Sequence, residues 1–321
     1  MHSFEELSAL FTAKFSSRHF PAEPSTLYDP ADYFLGLGGK RIRPVLCLMA
    51  NELFTAIEED AWLVAAAIEL FHNFTLIHDD IMDRAPLRRG MPTVHEKYGS
   101  STAILTGDVM MVAGYDYISR IGSPQIRRIL RIFNETASHV CEGQQLDMDF
   151  ETRGNVGMEA YLHMIGLKTS VLLAASLQIG SILGGAGLGN QDKIYQFGRN
   201  LGLAFQIQDD YLDCYGDATK FGKKPGGDIL AGKKTFLLVK TLEVATGVQQ
   251  RRISELSAAP PDQRIAGMLA LYHECGVDAW VRNLSEQYRL DAHESLEEIA
   301  VLSRRKDPLR HLTDHLLRRE Y

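Results

Sequence analysis

Apolar residues recur at helical spacing along almost all of this 321-residue chain. The segment 61–82, AWLVAAAIELFHNFTLIHDDIM, carries apolar or small residues over a wide face, which is typical of a buried helix. Four further segments share this periodicity: 161–183, 194–212, 235–245 and 266–273. Because no alternating pattern of β-branched residues separates them, the sequence predicts an all-α fold.

Clusters of glycine and proline divide the helical segments. They lie at 36–44, 86–92, 184–189, 222–232 and 258–261. We predict that they are loops between helices, and none is long enough for a flexible linker between domains. We therefore expect one helical domain over residues 1–321, ending in a charged helix at 307–321 whose arginine-rich face is solvated.

The overall charge excludes several classes of partner. Hydrophobic residues make up 45% of the chain, which is enough for a large core. With 34 Lys and Arg against 41 Asp and Glu, the formal net charge is −7, so no global basic field favours nucleic acid or an anionic membrane. Any phosphate chemistry must depend on local basic clusters.

The cysteines and the first residues indicate a cytoplasmic protein. The four cysteines are far apart, at Cys47, Cys141, Cys214 and Cys275. Without a C-x-x-C pair, a structural zinc site or a disulfide framework is disfavoured, and buried thiols in a reducing cytosol are expected. The N-terminus lacks a secretory signal, and no unbroken apolar run approaches the about 20 residues that a membrane helix needs.

Two acidic motifs follow apolar helices. HDDIMD begins at His78 and QDDYLD begins at Gln208, and both contain D-D-x-x-D. On a helix the first and last aspartates share one face, which pairs Asp79 with Asp83 and Asp209 with Asp213. Clustered carboxylates need a neutralising cation, and hard oxygen ligands select magnesium or manganese over zinc. Two facing clusters could hold several such ions around one diphosphate.

Surface decoration, a calcium loop and a phosphohydrolase site fit these acidic motifs less well. A single D-D-x-x-D would fit acidic decoration of an exposed helix end, but two at the ends of apolar helices favour a metal site. A calcium loop is disfavoured because its glycine and terminal glutamate are absent. His78 and Asp79 resemble the metal-binding pair of HD-type phosphohydrolases, and His72 could add a ligand, but the second motif would then be idle.

Basic residues near the acidic motifs are candidate phosphate ligands. Arg88 and Arg89 follow the first motif, and arginine guanidinium groups match phosphate oxygens in pairs. The turn GGKRIRP at 38–44 opens a helix and contains Lys40, Arg41 and Arg43. It is a candidate anion-binding site, and a solvated basic turn is the alternative.

A lysine-rich segment, FGKKPGGDILAGKKT, follows the second motif. It contains Lys223, Lys224, Lys233 and Lys234. Residues 227–233 fit G-x-x-x-x-G-K, but a P-loop needs Ser or Thr next and a preceding strand, and here another lysine follows a helical segment. We reject nucleotide binding and predict a lysine-rich flap over phosphate.

Six motifs together resemble the trans-isoprenyl diphosphate synthases, the polyprenyl synthetase family. They are GGKRIRP, HDDIMDRAPLRRGMPT, GQQLD, the pair KT at 168–169, FQIQDDYLD and GKKPGGD, and they occur in this order over most of the chain. The resemblance implies a single-domain helical bundle of the isoprenoid synthase type with a central active-site cavity, and a homodimer. It also implies three Mg²⁺ ions per active site, for which Mn²⁺ can substitute, and isopentenyl and allylic diphosphates as substrates.

The resemblance also implies roles for individual residues. Asp79, Asp83 and Asp209 are expected to bind magnesium together with Asp213, supported by Asp80 and Asp210. The expected allylic diphosphate ligands are Arg88, Lys168, Thr169, Gln206, Lys223 and Lys233. The expected isopentenyl diphosphate pocket contains Lys40, Arg43, His72 and Arg89. Gln144 and Asp147 occupy the position of a polar pair beside the metals.

The implied reaction is metal-assisted ionisation, condensation and elimination. Magnesium and cationic side chains stabilise the leaving diphosphate while the allylic C–O bond ionises, and isopentenyl diphosphate attacks the resulting cation and loses a proton. The residues expected to act in catalysis are Asp79, Asp80, Asp83, Arg88, Lys168, Asp209, Asp210 and Lys223.

Product length depends on residues upstream of the first motif. Phe74 lies five residues before Asp79, about 7.5 Å along a helix, and its ring could floor the product tunnel. An aromatic residue here with Thr75 beside it resembles geranylgeranyl synthases, whereas eukaryotic-type farnesyl synthases carry aromatics at both positions, so we predict C20 over C15. Plain core packing of Phe74 is the alternative. The floor could instead be formed by Met110, Met111 and Tyr115.

Two other functions fit the same fold. A terpene cyclase normally replaces the second acidic motif with an Asn/Ser/Glu triad, and DDYLD argues against that. A non-catalytic partner subunit of a heteromeric synthase typically loses aspartates or arginines, whereas both acidic motifs are intact here. The sequence therefore favours a catalytic short-chain prenyltransferase.

Overall fold

The computed structural model describes residues 1–216 and 226–317, and these are almost entirely helical. The first helices are α1 (Phe4–Phe15), α2 (Ser25–Gly36), α3 (Ile42–Glu52), α4 (Glu59–Met82), α5 (Val94–Tyr98), α6 (Ser100–Ser119) and α7 (Ile126–Thr152). Next come α8 (Met158–Ile165), a π-helical turn (Gly166–Ser170), α9 (Val171–Leu183) and α10 (Leu188–Tyr215). The remaining elements are α11 (Gly227–Ala231), α12 (Phe236–Val244), α13 (Gly247–Ser257), α14 (Pro261–Glu274), α15 (Val277–Glu297), a 3-10 turn (Ser303–Arg305) and α16 (Asp307–Leu317). The predicted all-α fold is confirmed.

One predicted loop contains a small β-hairpin. Strand β1 (Leu87–Arg88) pairs antiparallel with β2 (Met91–Pro92) inside the predicted loop 86–92. Its two turn residues, Arg89 and Gly90, have φ angles of 55° and 77°. Two positive φ angles in a two-residue turn match the twist of a tight hairpin. Strands this short carry no detectable alternation, which explains why the sequence predicted only a loop.

Four other predicted loops are shorter in the structure. Helix α3 begins within 36–44, α10 begins within 184–189, α11 lies within 222–232, and α14 begins at the last residue of 258–261. Residues 222–225 lie outside the described residues, as does the end of the predicted C-terminal helix beyond Leu317. Each glycine-rich segment therefore marks a helix start as well as a turn.

The described chain divides into two compact units. The first contains Met1–Glu135, Ala175–Tyr195 and Ile299–Leu309, and the second contains Thr136–Ala174, Gln196–Glu298 and the chain from Arg310 onward. Four of the five unit boundaries fall inside helices α7, α9, α10 and α16, and the fifth, between Glu298 and Ile299, directly follows α15. The expectation of a single domain with a central cavity stays a prediction.

In the first unit, α4 packs closely against α6 because α6 presents glycines. A Cβ at Gly107 would lie 2.3 Å from His78 Nε2, and one at Gly114 would lie 3.2 Å from the Ala67 carbonyl oxygen. Any larger residue at Gly107 would push the histidine away. These two glycines fix the position of the C-terminal half of α4, which carries the first acidic motif.

In the second unit, the π-helical turn is held between two other glycines. A Cβ at Gly143 on α7 would lie 2.3 Å from the Lys168 backbone nitrogen. A Cβ at Gly202 on α10 would lie 2.7 Å from the Ser170 Cα atom. Both neighbouring helices therefore approach the turn at backbone distance, which positions the Lys168-Thr169 pair.

Two helical spans are long and apolar enough to cross a membrane by length and composition. They are Glu59–Met82 and Met158–Leu183. In the most apolar part of each span, 67% of the first and 78% of the second is buried inside the protein. Such burial is what the central helices of a globular core show. Both spans carry the predicted site residues.

Candidate active site

The first acidic motif forms the C-terminal end of α4. The Asp83 backbone nitrogen donates to the Asp79 carbonyl oxygen at 2.8 Å, so the two aspartates are one helical turn apart, as predicted. Asp83 is exposed and Asp79 is partly exposed. Both outer carboxylates of this motif can therefore be reached from solvent.

The middle aspartate of the first motif is bound to the hairpin. Asp80 is only 2% exposed. Arg88 donates from Nε to both carboxylate oxygens, at 3.0 and 2.8 Å, and from Nη2 to Oδ1 at 2.8 Å. This bidentate ion pair fastens the hairpin to the end of α4. Arg88 Nη1 does not take part in this ion pair and can donate to an anion.

Arg43 and His72 meet in the first unit. Arg43 Nη1 lies 3.0 Å from His72 Nε2. Burial lowers the pKa of His72 well below its usual value, and the positive fields of Arg43, Arg89, Arg88 and Arg41 lower it further. The predicted isopentenyl diphosphate residues Arg43, His72 and Arg89 therefore lie within one strongly positive region.

Arg89 packs against the glycine-rich turn. A Cβ at Gly39 would lie 2.8 Å from Arg89 Nη2, so only glycine leaves room for the guanidinium. Gly39 also has a φ of 150°, which side chains rarely adopt. Lys40, the next residue, is exposed. The second glycine of GGKRIRP thus lets this turn and the hairpin contact each other.

Arg41 differs from the prediction. Its side chain is 7% exposed and forms an ion pair with the buried carboxylate of Glu69. It also donates to the Leu35 carbonyl oxygen at 3.2 Å, and Asn73 donates to Glu69 Oε1 at 2.9 Å. Within GGKRIRP, Arg41 therefore differs from the predicted anion ligands, because its side chain is buried and bound to Glu69 and Leu35.

His78 and Phe74 pack against the hydrophobic core of the first unit. His78 Nε2 lies 3.1 Å from the Ile104 carbonyl oxygen, which gives this histidine a packing role and does not support the phosphohydrolase alternative. The Phe74 ring is 9% exposed and lies 4.8 Å from the His78 ring and 5.5 Å from the Phe71 ring. Tyr115 continues this aromatic row through Phe133. Met110 is fully buried and Met111 is partly buried.

The second acidic motif lies near the end of α10. Asp209 and Asp213 are partly exposed, and Asp210 is 6% exposed. Asp210 accepts hydrogen bonds from the Tyr161 hydroxyl at 3.1 Å, from Gln206 Nε2 at 2.9 Å and from the Phe236 backbone nitrogen at 3.4 Å. Burial raises the pKa of Asp210 to about 7, against the opposing effect of the Gln206 hydrogen bond.

Predicted allylic diphosphate ligands join this network. Thr169 Oγ1 donates to Gln206 Oε1 at 3.4 Å, and Gln206 in turn donates to Asp210. Lys168 Nζ donates to Asp147 Oδ2 at 2.5 Å. Gln144 is buried one turn before Asp147 on α7. π-Helical turns inside α-helices are frequent at functional sites, and this one carries both Lys168 and Thr169.

Sequence reasoning missed Tyr161. This residue is 4% exposed, packs edge-on against the Phe236 ring at 4.7 Å, and donates to the middle aspartate of the second motif. Its position two helical turns before Lys168 was the available signal, since residues seven apart share a helix face. A buried tyrosine hydroxyl needs a partner, and here the partner belongs to the site.

The segment after the second motif is only partly described. Asp213 Oδ2 accepts from the Asp228 backbone nitrogen at 2.9 Å, which binds the end of α10 to the first turn of the short helix α11. Lys233 is exposed. Lys234 differs from the predicted flap, because its Nζ donates to the carbonyl oxygens of Phe150 and Arg153 at the end of α7. The predicted phosphate ligand Lys223 and its neighbour Lys224 lie outside the described residues.

The donor atoms fit magnesium. Among residues 1–216 and 226–317, no three His, Cys, Asp or Glu side chains are grouped closely enough to hold a metal alone. Mg²⁺ is usually bound by one or two carboxylates, with substrate phosphates and water completing the shell. The outer pairs Asp79 with Asp83 and Asp209 with Asp213 offer such carboxylate oxygens, and they also suit Mn²⁺.

Comparisons with known proteins show the family of the chain. The polyprenyl synthetase family model matches residues 24–272. The chain is 37% identical to a geranylgeranyl diphosphate synthase of Methanosarcina mazei, over 93% of this chain and 91% of that protein. Its fold matches a solved geranylgeranyl pyrophosphate synthase with a TM-score of 0.93, 40% identity and 100% coverage of both chains.

A second solved structure gives the same result. The geranylgeranyl pyrophosphate synthetase of Pyrococcus horikoshii matches with a TM-score of 0.93 and 33% identity, covering 99% of both chains. The match over most of the chain and the two aspartate motifs on α4 and α10 point to one assignment. This chain belongs to the polyprenyl synthetase family.

Proposed function

We propose that this chain is a magnesium-dependent geranylgeranyl diphosphate synthase. It condenses isopentenyl diphosphate with dimethylallyl, geranyl and farnesyl diphosphates and releases a C20 product. The observation that carries this proposal is the shared design of the two D-D-x-x-D motifs. In each motif the middle aspartate is buried and hydrogen-bonded, while the outer aspartates remain accessible.

The outer aspartates bind the metal ions that accompany an allylic diphosphate. Magnesium, when bound, neutralises the charge that develops on the leaving diphosphate. Arg88, Lys168 and Lys233 are each proposed to supply positive charge to the allylic diphosphate, and Thr169 and Gln206 are proposed as its hydrogen-bonding ligands. Lys223 is proposed as a further ligand. Lys168 must leave Asp147 or share it with the phosphate, because its ammonium group already donates there.

Isopentenyl diphosphate binds the region of Arg43, His72 and Arg89, with Lys40 at its edge. Two guanidinium groups without a described carboxylate partner give this region the charge that a diphosphate needs. The allylic C–O bond breaks first, the double bond of isopentenyl diphosphate attacks the cation, and the departed diphosphate accepts the proton that is lost. No protein nucleophile is required.

Product length is proposed from Phe74. Its ring lies one and a half turns below Asp79 on α4 and contacts Phe71 and His78. A rigid aromatic row at this depth stops a growing chain. A C15 product is the alternative, and the names of relatives support C20.

The wider setting is also proposed. The protein acts as a homodimer in the cytoplasm, because the family resemblance implies the dimer and the four cysteines are free thiols, as expected in a reducing compartment. A non-catalytic subunit is disfavoured because every aspartate of both motifs is present.

The test is an elongation assay. Purified protein is incubated with Mg²⁺, isopentenyl diphosphate and each allylic primer in turn, and the dephosphorylated products are identified by chromatography with mass detection. A C20 alcohol from all three primers supports the proposal. Failure to elongate any primer, or cyclic hydrocarbons, would contradict it.

Phe74→Leu and Phe74→Ala test the tunnel floor in the same assay. If Phe74 is the floor, products lengthen progressively as the side chain shrinks, because depth is limited by the ring. If the ring only packs the core, both variants lose yield and heat stability while the wild-type product length stays unchanged.

A further inference from the structure

Arg43, His72 and Arg89, called here the Arg43–His72–Arg89 cluster, contain two arginines without a described ion-pair partner. Arg41 and Arg88 are paired with Glu69 and Asp80. Within the described ranges 1–216 and 226–317, no carboxylate forms an ion pair with Arg43 or Arg89. Positive charge gathered without a counter-charge favours an anion, and it also opposes protonation of the histidine between the arginines.

The geometry fixes the protonation of His72. A guanidinium group has only N–H donors, so His72 Nε2, at 3.0 Å from Arg43 Nη1, must accept. The ring is therefore neutral and carries its proton on Nδ1. A doubly protonated ring would place two donors against each other and could form only if Arg43 turned away.

The other charged groups around His72 come from three elements and an adjoining turn. Arg41 and Arg43 lie at the start of α3, Glu69 and Asp80 on α4, Arg88 and Arg89 on the hairpin, and Lys40 in the adjoining turn. The four arginines and burial all lower the pKa of His72. Glu69 and Asp80 are each engaged with an arginine and offset this field only in part.

We propose that binding of isopentenyl diphosphate at the Arg43–His72–Arg89 cluster is coupled to the uptake of one proton by His72. The diphosphate accepts hydrogen bonds from Arg43 and Arg89, which frees His72 Nε2 and brings negative charge beside the ring. The proton comes from solvent and gives an imidazolium that can donate to a phosphate oxygen. This inference rests on the proposed function, since it assigns the diphosphate to this cluster.

The sign of the pH dependence follows. His72 is neutral in the free protein and holds its proton more tightly in the complex, so binding takes up a proton between the two pKa values. Affinity is therefore highest at low pH and falls as pH rises through the pKa of the complex. The His72 contribution cannot exceed about tenfold in affinity per pH unit, because one group titrates.

Calorimetry tests this directly. Isopentenyl diphosphate alone is titrated into the full chain with a chelator and without an allylic primer, so that no reaction occurs. The titration is repeated near pH 6.5, the ordinary histidine pKa, in buffers of different ionisation enthalpy. The dependence of the measured heat on that enthalpy counts the protons taken up. Wild type is expected to take up as much as about one proton more than His72→Gln.

The comparison with His72→Gln removes the protons that the ligand itself exchanges. Glutamine can still accept from Arg43 but does not titrate. His19→Gln is the matched control, because His19 is also a partly buried histidine of the first unit with a lowered pKa, bonded to Tyr117 and the Phe15 carbonyl. It is expected to keep the wild-type proton uptake.

Nitrogen NMR of the imidazole ring provides a second measurement. The free protein should show a neutral His72 ring protonated on Nδ1, and the complex should show an imidazolium. Equal proton uptake in wild type and His72→Gln, or a neutral ring in the complex, would overturn the inference. If elongation is nevertheless observed, the proposed function stands. Loss of both elongation and isopentenyl diphosphate binding in wild type would overturn both proposals.

Discussion

The two acidic motifs share their spacing but not their electrostatics. In both, the middle aspartate is buried and the outer ones face solvent. Asp80 is held by the positive guanidinium of Arg88 through three hydrogen bonds. Asp210 is held by neutral donors from Tyr161, Gln206 and the Phe236 backbone.

This difference concerns how each middle aspartate is held in place. A charged partner makes Asp80 the attachment point of the hairpin, and burial among neutral donors raises the pKa of Asp210 to about 7. One motif is thus fixed by an ion pair and the other by a hydrogen-bond network. Since each middle carboxylate is buried, the more accessible outer carboxylates are the proposed ligands of the metal.

The largest expected effect concerns the outer aspartates. Asp79→Asn and Asp209→Asn should each lower kcat by about 100-fold or more, because each removes a charge that stabilises the metal-bound diphosphate. Their heat stability should stay close to wild type, since both side chains are partly exposed. Steady-state kinetics and thermal unfolding check this. A large loss of stability with little loss of kcat would assign these residues to structure.

The next effect contrasts the middle aspartates in stability. Asp80→Asn removes the negative partner of Arg88 and should cost about 3 kcal/mol, the lower end for a broken buried pair because Arg88 is 27% exposed. Asp210→Asn resembles the protonated carboxyl and should cost about 1 kcal/mol. Urea unfolding of the metal-free proteins compares the two. Equal losses of unfolding free energy would mean that a charged partner and neutral partners stabilise a buried aspartate equally.

A smaller effect tests the fit of Arg89 on the glycine-rich turn. Gly39→Ala should raise KM for isopentenyl diphosphate about tenfold, because a Cβ would displace the guanidinium and weaken charge-assisted hydrogen bonds. KM for the allylic substrate should hardly change. Gly36→Ala is the control, since a Cβ there meets nothing within 4 Å. An equal rise in both KM values would point to general distortion.

The smallest effect belongs to the network of the second motif. Tyr161→Phe removes one hydroxyl and should cost about 1 kcal/mol of stability while lowering kcat only a few-fold. Tyr161→Phe in an Asp210→Asn background should then cost less than in wild type, because the two groups share one hydrogen bond. Additive losses in this double-mutant cycle would show that the bond carries no energy.

Local patterns predicted the helices and the acidic motifs well. The apolar period of 61–82 corresponds to α4, and the D-D-x-x-D spacing placed Asp79 and Asp83 one turn apart. These features depend on neighbouring residues, so they can be inferred from sequence. The hairpin could not, because its four strand residues are too few to show alternation.

Partners distant in sequence could not be predicted. Arg41 looked like an anion ligand until its ion pair with Glu69 was visible, and Lys234 looked like part of a flap until its contacts with the end of α7 were visible. Tyr161 had no motif to mark it. Long-range packing decides whether a charged or polar side chain serves the core or the site.

The central claim is that the outer aspartates, and not the middle ones, bind the metal. Metal-dependent binding of a non-reactive farnesyl diphosphate analogue tests it most directly. Calorimetry with Mg²⁺ present or chelated compares wild type, Asp209→Asn and Asp210→Asn. The account predicts that binding requires Mg²⁺, is lost in Asp209→Asn and persists in Asp210→Asn. Magnesium-independent binding, or a greater loss in Asp210→Asn than in Asp209→Asn, would contradict it.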